Sequence, residues 1–147
     1  MKVINKNNII SSKKIFNICN LLNIDYLPRK IIIYETRFDV LKSFLILDPI
    51  SLIMTLLGKI EGTYNILFDR VCIFIFSEND DGDDIHSKQF YSLHALLHEL
   101  RHRHQWKNSR NLNEDDADEF ATNFLNNNSE KISKIMGWED EWEIEEE

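Results

Sequence analysis

Apolar residues along the chain recur at helical spacing in several stretches and crowd into short β-branched runs between them. Ile15, Ile18, Cys19 and Leu22 share one face of residues 12–27 and Pro28 stops the run, which predicts an amphipathic helix. Residues 31–35 read as a short strand. From Asp39, the positions Val40, Leu41, Phe44 and Leu45 return to helical spacing. Asp48 and Pro49 then suit the N-cap and first residue of a second short helix reaching Gly58. Residues 63–68 and 71–76 are rich in strand formers, and Asp69 and Arg70 between them predict the turn of a hairpin. Residues 77–87 hold four aspartates and Gly82 around a lone apolar Ile85, the composition of an exposed loop. Helices are expected at 88–106 and 114–126, followed by a shorter one ending at Gly137. Strands that precede chemistry-bearing helices give an α+β class, with a short mixed sheet packed on helices.

At 147 residues the chain is the size of one domain, read here as residues 1–137 with an acidic tail at 138–147. The net charge of −8 is concentrated in that tail, where seven of the last nine residues are acidic, so the body is close to neutral. Without a Lys/Arg stripe there is no electrostatic basis for direct nucleic-acid binding. Cys19 and Cys72 lie in apolar runs with no paired spacing and read as buried reduced thiols. Residues 1–12 lack the apolar core of a secretory signal, so a cytoplasmic protein is expected. The apolar stretch 41–57 is broken by Lys42, Asp48 and Pro49, short of the ~18 uninterrupted residues a membrane span needs.

The candidate chemistry lies in His98-Glu99-Leu100-Arg101-His102. Residues four apart share a helix face, so both imidazoles can reach one zinc ion at the ~2.0 Å it prefers. Glu99 stands about 100° from His98 and 60° from His102 on the helical wheel, beside the metal, where a general base belongs. Phe90, Leu93, Leu96, Leu97 and Leu100 fill the opposite arc and would bury it. His94 lies two turns from His102, ~12 Å along the axis, and cannot share its metal. His104 points into the apolar arc and reads as a core or helix-terminal histidine.

A third protein ligand has to come from elsewhere. The long metzincin pattern fails, because Gln105 and Asn108 stand where it needs Gly and His. Asn113 is a good N-cap for a helix that begins Glu114-Asp115-Asp116-Ala117-Asp118-Glu119, so the acids also suit a helix N-terminal dipole. On the wheel Asp115 and Glu119 face solvent, Glu114 lies in the first turn on the buried side, and Asp116 lies at the edge of the apolar face.

The string Leu96-Leu97-His98-Glu99-Leu100-Arg101-His102, followed by Glu114-Asp115-Asp116-Ala117 and Phe120-Ala121, resembles the ImmA/IrrE family of minimal gluzincin metallopeptidases. The resemblance spans about residues 60–126 and rests on its two helices; Arg101 stands where the family often has glycine. It implies a small zincin-like domain in which His98, His102 and Asp116 bind zinc and Glu99 is the catalytic base. It also implies a protein substrate, such as a helix-turn-helix repressor or another regulator.

Substrate binding by strand addition is expected at an edge strand within 63–68 or 71–76, and Tyr91 is a weak candidate for a transition-state donor. The rival reading is a non-catalytic, zinc-stabilised binding module, which would have no need of Glu99. A calcium loop around Gly82 is set aside, since Ser77 and Lys88 would fall where carboxylates are required. The acidic tail reads as solvated, with Trp138 able to pack back on the domain.

Overall fold

A computed structural model of the chain describes residues 1–7, 9–34, 39, 50, 53–54, 60–74, 84–108, 111–139 and 142. The helix expected from Asp39 and the one from Asp48 to Gly58 lie mostly outside these residues. The elements are β1 (Lys2–Asn5), α1 (Ser12–Cys19), a 3-10 turn (Ile24–Tyr26), β2 (Lys30–Tyr34), β3 (Gly62–Asn65), β4 (Arg70–Phe74), α2 (Ile85–Lys107), α3 (Glu114–Asn127) and α4 (Ser129–Met136). The class is α+β, as expected. The four strands run in the order β1-β2-β4-β3, with β1, β2 and β4 parallel and β3 antiparallel to β4.

Alternation along the strands divides the core. Ile31 pairs with Val71 and Ile33 with Ile73, and all four are buried toward the helices, against Leu93, Leu96, Leu97 and Leu100 of α2. Ile32, Tyr34, Cys72 and Phe74 are buried on the opposite face with Ile4 and Ile60. Burial on both faces is the normal environment of parallel strands. Burial pushes the thiols of Cys19 and Cys72 up to about 12 and about 11, consistent with inert core residues.

Several boundaries differ from the sequence expectation for local reasons. α1 stops at Cys19, and Asn23 starts a new turn by accepting from the Asp25 N–H, the competition with helix that asparagine side chains offer. The tip of the β3–β4 hairpin is longer than two residues: Asn65 Oδ1 accepts from the Phe68 N–H at 3.1 Å, and Asp69 adopts φ 45°. Ile66, Leu67 and Phe68 are therefore exposed on the turn rather than paired. α2 begins at Ile85, because the Asp84 side chain caps it through the Ser87 N–H at 2.8 Å. α4 ends at Gly137 in the left-handed conformation expected of a C-terminal glycine. Trp138 packs back as anticipated, and so does Trp142: its Nε1–H donates to Ser133 Oγ at 2.8 Å and its ring meets Phe90 edge-on at 4.9 Å. No described helix is long and apolar enough to cross a membrane.

Candidate metal centre

α2 and α3 pair as an antiparallel hairpin with matched spacing. His94, His98 and His102 stand one turn apart on α2, facing Thr122, Asp118 and Glu114 one turn apart on α3. His94 Nε2 lies 3.2 Å from Thr122 Oγ1, His98 Nδ1 2.6 Å from Asp118 Oδ1, and His102 Nε2 3.2 Å from Glu114 Oε2. Glu114 Oε2 is also 3.1 Å from His98 Nε2. One donor atom from each of His98, His102 and Glu114 thus falls within 4.8 Å of the other two.

Asp116, expected as the third ligand, is not part of this cluster. Its carboxylate accepts from Arg101 Nε and Nη2 at 2.7 and 2.8 Å and from Gln105 Nε2 at 2.6 Å. The reason is the lean of helical side chains toward the N-terminus: Glu114, first in α3, reaches back past the helix start to α2. A helical wheel gives azimuth and omits that reach.

The hydrogen bonds also settle the proton positions on both imidazoles. Gln105 Oε1 accepts from the Asn113 N–H at 3.2 Å, while its Nε2 donates to the Asn113 carbonyl at 3.0 Å and to Asp116. With the amide so oriented, His102 Nδ1, 3.0 Å from Gln105 Oε1, is the donor. His98 stands between two carboxylates, with Asp118 Oδ1 2.6 Å from Nδ1 and Glu114 Oε2 3.1 Å from Nε2, and the shorter contact favours hydrogen on Nδ1. In their neutral forms both rings therefore present Nε2 lone pairs to Glu114 Oε2. Three acceptors meeting at one point repel one another unless a cation lies among them. Two imidazole nitrogens and a carboxylate oxygen, each ring held by a partner at its far nitrogen, form a donor set that suits zinc. Comparison of the chain with protein-family profiles, curated proteins and solved structures finds no match.

Glu99 lies beside the cluster, 8% exposed, in a cleft of ≈ 510 Å³ between α2 and β3. Burial, reinforced by the negative charge of Glu114, pushes its carboxyl up to about 8, and the Tyr64 backbone N–H pulls the other way. A cation held by the three donors would bring it down. Gly62 makes room: a Cβ there would sit 2.6 Å from Glu99 Cγ and 3.1 Å from Glu99 Oε1. The described cleft lining contains Glu61 and Asp118 and no lysine or arginine.

Among the described residues β3 is one of the two edge strands, with β1 the other, and β4 is not, being paired on both sides. The Phe74 N–H donates to the Glu61 carbonyl at 2.8 Å, so ladder bonds recur at Thr63 and Asn65, and the backbone groups of Gly62 and Tyr64 turn away from β4. Tyr91 does not line the cleft; it is 60% exposed. The Tyr64 hydroxyl is engaged elsewhere, donating to Asp69 Oδ1 at 3.2 Å. His104 stacks on Tyr26, with centroids 4.1 Å apart.

Sequence reading weighed Glu114 but preferred Asp116, and it missed the parts of Gln105, Asp118 and Gly62. A signal for two of them was present: the fourfold spacing of 94, 98 and 102 is repeated at 114, 118 and 122.

Proposed function

We propose that the protein is a zinc-dependent metallopeptidase of zincin-like architecture that hydrolyses a peptide bond in a protein substrate. The observation that carries this reading is the convergence of His98 Nε2, His102 Nε2 and Glu114 Oε2, three lone-pair donors, beside a buried carboxylate. The metal would be held by these three residues, with Glu114 in the role the family resemblance gives to Asp116. A bound zinc ion supplies Lewis acidity, which acidifies water and polarises a carbonyl.

The remaining work falls to the chain. Glu99 is held at one wall by the Tyr64 N–H, where it can take the proton of an attacking water and return it to the leaving amine. The outward Gly62 backbone and the Tyr64 carbonyl of β3 offer hydrogen bonds to an extended substrate, and this strand addition would lay the scissile bond along the cleft. Glu99 favours catalysis over a metal-stabilised binding module, because burying a carboxylate costs stability that a binding role has no reason to bear. The resemblance to ImmA/IrrE peptidases points to a regulatory protein, such as a helix-turn-helix repressor, as substrate.

The test is zinc content by elemental mass spectrometry together with cleavage of an unfolded protein substrate, for the wild type and for Glu99→Gln. One zinc per chain in both proteins, with cleavage lost only in the variant, is the expected outcome. Undiminished cleavage by Glu99→Gln, or a wild type without zinc, overturns the proposal.

A further inference from the structure

Gln105 is 1% exposed, yet it has no part in the chemistry above. Its amide meets both the N–H and the C=O of Asn113, as a neighbouring strand would, at 3.2 and 3.0 Å. That pins the residue immediately before Glu114. The same carbonyl oxygen accepts from His102 Nδ1 at 3.0 Å. Asp116 holds the amide nitrogen at 2.6 Å and is itself gripped by Arg101, whose Nη1 donates to the Tyr26 hydroxyl at 2.8 Å. One side chain therefore joins a metal-donor residue on α2 to the start of the helix that carries another.

We infer that Gln105 is a positioning residue of the metal centre, fixing His102 with its proton on Nδ1 and setting α3 so that His102 Nε2 and Glu114 Oε2 meet the same cation. The inference rests on reading the cluster as a metal site, but its first consequence, the tautomer, belongs to the metal-free protein. Without an acceptor at Nδ1 the neutral ring is free to carry hydrogen on Nε2, the atom that must give up a lone pair. His98 is an internal control, because its Nδ1 is held by Asp118 and not by Gln105.

The experiment uses the full chain, stripped of metal, as wild type and Gln105→Met. Histidine tautomers are read by nitrogen–proton correlation NMR at alkaline pH, and zinc affinity by competition with a chromophoric chelator. Expected are Nδ1–H on His98 and His102 in the wild type, and a shift of His102 alone to Nε2–H in Gln105→Met. Zinc affinity of that variant should fall about 10- to 100-fold, the range for losing an outer-shell partner. A wild type with His102 on Nε2–H overturns the inference without recourse to any variant. So does a folded Gln105→Met with unchanged affinity. A wild type that takes up no zinc overturns the metal reading, while the tautomers from the same sample judge Gln105 separately.

Discussion

Arg101 and Asp116 form a two-pronged ion pair, with Nε 2.7 Å from Oδ2 and Nη2 2.8 Å from Oδ1. Arg101, which stands where the ImmA/IrrE peptidases that the chain resembles often have glycine, thus engages the acid that the resemblance would give to a metal. Asp116 is left as a support. Glu114→Ala should therefore weaken zinc binding by more than about a hundredfold, beyond the range for outer-shell partners, whereas Asp116→Ala should cost about tenfold. Chelator competition on the two variants measures this, and the reverse order would restore Asp116 as the ligand.

Gly62 lets β3 approach Glu99 more closely than any other residue would. Gly62→Ala places a methyl group 2.6 Å from Glu99 Cγ and 3.1 Å from Ile73 Cδ1. Glu99 or the strand must move, at about 1–3 kcal/mol of stability. The proposed peptidase activity should drop at least about tenfold, one 1.4 kcal/mol step in barrier, while zinc affinity stays near wild type because none of the proposed metal donors is displaced. Full activity in Gly62→Ala would show that the position of Glu99 is not critical.

Removal of residues 139–147 should destabilise the protein, contrary to what a charged tail implies. Trp142 packs on Phe90 and lies 5.7 Å from the Trp138 ring. Losing that contact and the Ser133 hydrogen bond costs about 1–2 kcal/mol. The thermal midpoint should fall by roughly 3–8 °C. Trp142→Ala alone should reproduce most of the loss, and replacing Glu143, Glu145, Glu146 and Glu147 with glutamine should reproduce little of it.

The hairpin tip has an acid-sensitive anchor. Burial raises the Asp69 carboxyl, but hydrogen bonding to and the charge of Arg103, with the Arg29 N–H and the Tyr64 hydroxyl, outweigh it and hold the group below its ordinary 3.8. Because the folded value is depressed, the stabilisation is complete above about pH 4. It is lost as pH falls through the folded value. Arg103 Nε lies 2.6 Å from Asp69 Oδ1 and both side chains are largely buried, so Asp69→Asn should cost about 3 kcal/mol at neutral pH. Urea melts should show the gap between variant and wild type narrowing below pH 4; a constant gap would exclude the ion pair as its source.

The helix carrying His98, Glu99 and His102 was readable because its apolar stripe and its chemical face have one period. Asn113 and Gly137 marked helix ends by local backbone chemistry, which needs no tertiary information. β1 escaped notice because Val3 and Ile4 make too short a pattern; pairing with Lys30–Ile33 of β2 supplies what the local sequence lacks. That Glu114 and not Asp116 joins the histidine cluster was hidden for a different reason. It depends on how α3 sits against α2, a relation set by contacts such as Gln105 with Asn113 that span eight residues and leave no periodic trace.

That contact also closes the chain between Gln105 and Asn113 at its neck, the amide gripping both backbone groups of Asn113. What lies inside a closed neck is mechanically insulated from what lies outside it. Leu112, just inside that neck, lines the cleft, so a substitution there should alter what the cleft accepts while Gln105 still holds the proposed metal donors in register.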